Sequence, residues 1–252
     1  MKIDQPIRIF DSSSADYHKS FQVFLDHTDQ KAKAREHLDE LVADLSSRRV
    51  LIDAGAGNGK VTAWLTDAFE HTIAAEPNAS LREELKATCP RAEVLEQTIL
   101  EANISHKGDF ILASHVFYYI DGRDWLKNLE TMASWLSPEG TLVVILQNHA
   151  SDCMKMLRHF LGRSFNLEEL ADDFGRNNSP RYRLSLNTVP SHITTPDLNA
   201  AYTVAEFMLN LLPLPNPPSG AEVSKYVQAH FSQGANKYRF SCTQDFLEIR
   251  RR

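Results

Sequence analysis

The run Val50-Leu51-Ile52-Asp53-Ala54-Gly55-Ala56-Gly57-Asn58-Gly59 constrains the fold more than any other stretch of the chain. Apolar residues lead in as a buried strand, Asp53 closes it, and three alternating glycines follow. Glycine takes up left-handed backbone angles without steric cost, so the chain can turn sharply there and bring its amides close to a ligand. The next residues, Lys60 to Glu70, read as a helix starting at that turn.

The glycine spacing separates two kinds of cofactor loop. A dinucleotide fingerprint needs G-x-G-x-x-G, with the third glycine packing helix on strand. Gly55 and Gly57 match, but Lys60 stands where the third glycine belongs, which weakens a nicotinamide-dependent reductase reading. The glycines follow G-x-G-x-G, with an acid two residues before the first. This arrangement resembles motif I of the class I S-adenosylmethionine-dependent methyltransferases. The resemblance implies that Gly55, Ala56 and Gly57 pass beside the methionine part of S-adenosylmethionine and that Asp53 helps hold its amino group. The bland alternative for Asp53 is a helix N-cap acid.

A second acid is expected at the end of the next strand, facing both ribose hydroxyls, and Ile73-Ala74-Ala75-Glu76-Pro77 supplies it. An ionised carboxylate only accepts hydrogen bonds and takes two donors at once, which suits a diol. A dehydrogenase would use a similar acid, so Glu76 alone does not discriminate. Its plain alternative is an exposed acid at a strand end.

The order of elements then follows a doubly wound sheet. Asn78 to Thr88 has helical spacing through Leu81 and Leu85 and stops at Pro90, and Ala92 to Leu95 is a short third strand. Thr98 follows it, where the adenine is usually met; capping a turn is its other reading. Asp109 to His115 reads as the fourth strand, running out to a loop with Val116, Phe117, Tyr118 and Tyr119. Open α/β sheets bind ligands at the carboxyl ends of their strands, so Ser114 to Tyr119 should lie between cofactor and substrate. Asp124 to Leu136 is an amphipathic helix ended by Ser137-Pro138-Glu139-Gly140, and Thr141 to Leu146 is the fifth strand. From Ser151 the pattern weakens, with Arg176 to Pro180 reading as a loop. Arg181 to Thr194 is strand-like, Pro196 to Leu212 helical, and Lys237 to Ile249 the last strand, whose antiparallel insertion is a family expectation.

Composition bounds the partners. The 252 residues allow one large domain or one and a half, and 42% apolar with 24% charged residues is the make-up of a soluble globule. A net charge of -6 argues against nucleic acid as a partner, because phosphate binding needs clustered positive charge. Arg250-Arg251-Arg252 reads as a solvated end. The N-terminus has no apolar signal region, and no stretch approaches the about 18 apolar residues of a membrane span. Cys89, Cys153 and Cys242 are widely separated, without metal-ligand spacing, and read as reduced thiols of a cytoplasmic protein. No site for a metal is expected, since the fourth and fifth strand ends lack a carboxylate cluster. The sequence leaves the oligomeric state open, with a monomer as the simplest expectation.

Asp16 to His27 precedes the core and has an apolar helical face of Tyr17, Phe21, Phe24 and Leu25. It resembles the N-terminal segment of the histamine N-methyltransferases, as Phe117-Tyr118-Tyr119 resembles their fourth-strand ending. The resemblance implies a lid over an amine pocket begun by Tyr17 and Phe21. Three substrate-contacting positions of that family differ: Gln30, His115 and Cys242 stand for its glutamate, glutamine and asparagine. Histamine is therefore not carried over as the substrate. A small-molecule methyltransferase with an aromatic, lidded pocket is.

The expected fold is thus a Rossmann-like α/β class I methyltransferase sheet, mostly parallel and seven-stranded, with helices on both faces. Its parts are N-terminal lid helices over 1–45, a cofactor-binding core over 46–150, and a remainder over 151–252 with a substrate-capping insertion. Tyr17, Phe21, Tyr118 and Tyr119 are the aromatic residues expected at the substrate, where their faces suit a cationic sulfonium or ammonium. Plain core packing is their alternative. His115 is the candidate proton acceptor, because imidazole as a group titrates near neutrality, and a substrate contact, with Tyr118 its companion. His149 reads as a surface histidine. The activity expected is methylation of a nitrogen on a small amine or imidazole. An O-methyltransferase and a non-catalytic binding protein of the same fold are the alternatives.

Overall fold

A computed structural model describes residues 5–10, 14–234 and 237–252, which form two compact units. The first comprises residues 35–146, 166–189 and 245–252, and the second residues up to 34, 147–165 and 190–244.

The first unit carries the seven-stranded sheet expected from the sequence. Its strands are β1 (Val50–Ala54), β2 (His71–Ala75), β3 (Glu93–Leu95), β4 (Gly108–Ser114), β5 (Leu136–Gln147), β6 (Tyr182–Val189) and β9 (Gln244–Arg251), in the order β3-β2-β1-β4-β5-β9-β6. β1 pairs in parallel with β2 and β4, β2 with β3, and β4 with β5. β9 is antiparallel to β6, since the pairing runs from Arg252 opposite Arg181 to Asp245 opposite Thr188. Strands of a parallel sheet are covered on both faces, which is why Leu51, Ile52, Phe110 to Ala113 and Leu142 to Leu146 are continuous apolar runs, at most 1% exposed.

Between β1 and β4 the strand order reverses, because the chain leaves β1 outward through β2 and β3 and returns to β4 on the other side. Such a switch point opens a crevice at the carboxyl ends of the strands. Helices α4 (Ala79–Thr88), α5 (Trp125–Ser134) and α7 (Leu167–Asn178) belong to this unit.

The second unit contains α1 (Ala15–His27), α6 (Asp152–Leu161), α8 (Leu198–Leu209), α9 (Gly220–Phe231) and an antiparallel ribbon of β7 (His192–Thr195) with β8 (Tyr238–Ser241). α1 lays Tyr17, Phe21 and Phe24 against Phe207 of α8, with ring centroids 5.5, 5.5 and 5.6 Å apart. Arg8 fastens the preceding segment to the buried Glu206 of α8, with Nη2 2.6 Å from the carboxylate.

Several elements depart from the sequence expectations. The helix expected over Lys60 to Glu70 shrinks to α3 (Thr62–Leu65) and a 3-10 turn at Thr66–Ala68. β-Branched Val61, Thr62 and Thr66 are weak helix formers, and Thr66 engages the Thr72 hydroxyl at 2.8 Å. Ser137 to Gly140, expected to end a helix, lie within β5. The β4–β5 register slips between Gly108 and Phe110, and a Cβ at Gly140 would stand 2.5 Å from the Gly108 oxygen.

The strand expected over Arg181 to Thr194 divides at Pro190, and that over Lys237 to Ile249 divides at Cys242 and Thr243. Each half joins a different sheet, and the two breaks meet: the Cys242 amide donates to the Ser191 carbonyl at 2.9 Å. Arg176 to Asn178 are helical, because Asn178 is buried and donates to Glu130 at 3.1 Å. Arg250 and Arg251 are exposed but belong to β9. Helix α2 (Gln30–Ala43) falls within the helices expected over 1–45 and α6 follows Ser151, where helix patterns alternate with loops, whereas α9 has no counterpart in the sequence reading.

Candidate functional site

The glycine turn closes on β2 through its own backbone. The amides of Gly55 and Ala56 both donate to the Ala75 carbonyl, at 2.8 and 3.0 Å. Gly55, Gly57 and Gly59 have φ of +85°, +56° and +79°, so the sequence GAGNG is what this turn requires. A Cβ at Gly55 would lie 2.5 Å from Val116 Cγ2, which shows how closely the β1 turn approaches the loop after β4. Around Gly57 there is open space within 4 Å. Gly59 has another reason: a Cβ there would meet Leu85 of α4 at 2.7 Å.

Two carboxylates flank the turn. Asp53, 2% exposed at the end of β1, accepts from Thr62 Oγ1 at 2.6 Å. Burial pushes its carboxyl up to about 6; the Thr62 hydroxyl opposes that rise and the charge of Glu76 adds to it. Glu76 accepts from the Gly57 amide through Oε2 and from the Asn78 amide through Oε1, both at 2.8 Å. An ionised carboxylate offers about four acceptor positions, so two remain for hydroxyl donors. Pro77 is exposed beside it, its carbonyl accepting from Arg82 at 2.7 Å. Thr98 donates through Oγ1 to Glu101 at 2.8 Å and so caps a turn at its own position.

The end of β4 supplies the other wall. Ser114 pairs with Ile145 of β5, and the His115 amide continues the ladder to the Ile145 carbonyl at 2.9 Å. His115 has φ of +59°, the single non-glycine residue with positive φ among the described residues. A side chain in this region is held there by its surroundings. Its ring stacks on Tyr118, with centroids 5.8 Å apart and planes 19° from parallel. Phe117 is fully buried, and Trp125 Nε1 donates to its carbonyl at 3.0 Å, pinning the turn that carries Tyr118 and the exposed Tyr119.

Asp53, Gly55, Ala56, Gly57, Glu76, Ser114, His115 and Tyr118 thus all lie at or just after the carboxyl ends of β1, β2 and β4 in one unit. Tyr17 and Phe21 lie in the other, stacked on one another at 6.3 Å, with burial raising the Tyr17 hydroxyl. Gln30 and Cys242 are brought together in that unit: Gln30 Nε2 donates to the Cys242 carbonyl at 2.9 Å. Sequence reasoning missed Thr62, whose signal is a hydroxyl residue at the first turn of the helix after the glycines. Among the described residues no group of three or more His, Cys, Asp or Glu side chains could hold a metal ion. Nor is any described helix long and apolar enough to cross a membrane.

A family model described as a methyltransferase domain matches residues 25–203. The chain belongs to the methyltransferase domain family. As a methyltransferase it has a relative in an uncharacterized methyltransferase of Oceanobacillus iheyensis, 23% identical over 154 residues, which covers 60% of this chain and 72% of that protein. Among solved structures it shares its fold with the YcgJ protein of Bacillus subtilis at a TM-score of 0.60 and 12% identity, covering 85% of this chain and 98% of that one. The N-methyltransferase NodS of Bradyrhizobium japonicum, crystallised with S-adenosyl-L-homocysteine, has a TM-score of 0.57 at 12% identity, covering 94% and 98%.

Proposed function

We propose that this methyltransferase takes its methyl group from S-adenosylmethionine and transfers it to a nitrogen of a small molecule of amine or imidazole type. The observation that carries the cofactor reading is the pair of carboxylates around the glycine turn at the switch point. Asp53 is buried with one hydroxyl donor, and Glu76 keeps acceptor positions beside Gly57. Asp53 would hold the amino group and Glu76 the ribose hydroxyls. Gly55, Ala56 and Gly57 would pass beside the methionine part, with Pro77 and Thr98 toward the adenosine and Ser114 closing the wall.

When bound, the sulfonium supplies an activated methyl group for in-line displacement. The protein then has to align the acceptor, exclude water and take one proton. Orientation of a reacting pair is worth about 7–11 kcal/mol. Stacking on Tyr118 and the constrained backbone of His115 hold the imidazole in one place, from which it would contact the acceptor and receive its proton. Aromatic faces attract a cation by about 0.5–2 kcal/mol each, which supports Tyr118 and Tyr119 as substrate residues. Tyr17 and Phe21 enter the proposal from the sequence resemblance, as parts of a lid within residues 1–45. The nitrogen acceptor rests on that resemblance and on the N-methyltransferase NodS among the structural neighbours. The cytoplasm is the proposed location and a small molecule the proposed partner, with neither nucleic acid nor membrane.

Calorimetric titration with S-adenosylmethionine and S-adenosylhomocysteine, with NADH as control, tests the cofactor. Binding of the first two, weakened in Glu76→Ala, is expected; binding of NADH alone would end the proposal. Isotopically labelled methyl donor with a mixed metabolite extract then separates a nitrogen from an oxygen acceptor.

A further inference from the structure

Asp53 is a buried carboxylate whose neighbours mostly disfavour its charge. Burial is the larger part of this, and Glu76 after β2 adds a second negative group; Cys89 at the end of α4 is held neutral by its own burial and by Asp53. Against these stands Thr62 of α3, fully buried, donating to Asp53 Oδ2 at 2.6 Å across the whole glycine turn. We propose that Thr62 is a positioning residue for the methyl donor. Its hydroxyl fixes the rotation of the Asp53 carboxylate and keeps it ionised, leaving the second oxygen to accept the ammonium of the donor's methionine part. This rests on the S-adenosylmethionine reading above.

The consequence is a pH dependence of binding with two separately owned limbs. Below about 6 Asp53 takes up a proton and loses its attraction for an ammonium, so affinity falls as pH falls. On the alkaline side the ligand's own α-amino group, which beside its free carboxylate keeps its proton to higher pH than a peptide's α-amino group, sets the limit. Removing the Thr62 hydroxyl takes away a hydrogen bond that lowers the Asp53 pKa. The acid limb should therefore move up by about one to two pH units while the alkaline limb stays in place.

The test is calorimetric titration of the full chain with S-adenosylhomocysteine between pH 5 and 9, for the wild type, Thr62→Val, Thr62→Ser and Asp53→Asn. Thr62→Val is expected to narrow the profile from its acid side only, with about a tenfold loss per unit below the new limb. Thr62→Ser should restore the wild-type limb, and Asp53→Asn should abolish it. Thr62→Ala removes the same hydroxyl should the valine variant not fold. If Thr62→Val or Thr62→Ala weakens binding by one factor at every pH, or not at all, Thr62 is a packing residue and the proposal is overturned while the cofactor reading stands. If the wild type does not bind S-adenosylhomocysteine, both fall.

Discussion

Replacing His115 by glycine and, separately, by alanine gives a test of whether the chain holds this residue under strain. Both substitutions remove the imidazole and its stack on Tyr118, so the difference between them isolates the Cβ at φ +59°. A Cβ in the left-handed region costs about 1–2 kcal/mol. Glycine in turn loses about 0.5–1 kcal/mol more than alanine in backbone entropy on folding. The net expectation is that His115→Gly is more stable than His115→Ala by about 0.5–1 kcal/mol. At an ordinary strand position the sign is reversed. For a chain of this length the gap corresponds to about 1–4 °C in Tm, within reach of differential scanning fluorimetry and confirmed by urea midpoints at equal m. Both variants should lose methyl transfer if His115 acts on the acceptor. Should alanine equal or exceed glycine in stability, the backbone there is not strained and the reasoning about a held imidazole fails.

Gly55→Ala would press a methyl group into Val116 Cγ2 from 2.5 Å at a φ of +85°; a loss of about 2–4 kcal/mol and of S-adenosylhomocysteine binding is expected, with partial recovery in Gly55→Ala/Val116→Ala, checked by denaturation and calorimetry. Asp53 has a folded pKa of about 6 against a usual 3.8, so the folded state binds the extra proton and stability falls as pH rises between those values. Asp53→Asn should therefore raise the stability of the ligand-free protein at pH 7 by roughly 2–3 kcal/mol and leave it unchanged near pH 4, as read by urea unfolding at both pH values. Asp109 behaves oppositely: burial pushes its carboxyl up, but the Arg49 amide, the Ser137 and Ser47 hydroxyls and the Val50 amide outweigh burial and hold it below the usual range. Its contribution is complete above about pH 4 and is lost as pH falls through the lowered folded value, so Asp109→Asn should destabilise at neutral pH by about 2–3 kcal/mol and flatten the acid limb of a stability profile.

Where periodicity is strong and local, the sequence already shows the fold. The apolar runs of β1, β2, β4 and β5 are legible because a parallel strand buried on both faces is mostly apolar, its polar residues such as Asp53 and Asp109 standing near the strand ends. Helix α4 is legible from Leu81 and Leu85 and the stop at Pro90. The segments misjudged are those whose ends are decided by distant partners. Ser137 to Gly140 carry every local mark of a turn, yet they extend β5, and Gly140, lacking a Cβ, lets the Gly108 carbonyl approach where a side chain would clash at 2.5 Å. Pro190 and Cys242 divide two apparent strands at places that meet only in the folded chain, through Ser191. No window of sequence contains both halves of that contact.

The site divides along the same line. Motif I and Glu76 are readable because glycine at positive φ and a carboxylate at a strand end are chemical requirements of the residues themselves. His115 was marked by its type and its place after β4, but what sets it apart is a backbone angle, which the sequence does not encode locally. Thr62 has the least conspicuous signature of all, a threonine in a short helix. Its role appears only when the turn brings it back to Asp53 across nine positions. Burial raises the Asp53 carboxyl to about 6 even with the Thr62 hydroxyl opposing the rise, so without that hydroxyl it would hold its charge less well near neutral pH. On the proposed reading, affinity rests on Asp53 and its pH range on Thr62, a residue that touches no ligand, which is why Thr62→Val is expected to shift the acid limb where Asp53→Asn removes it.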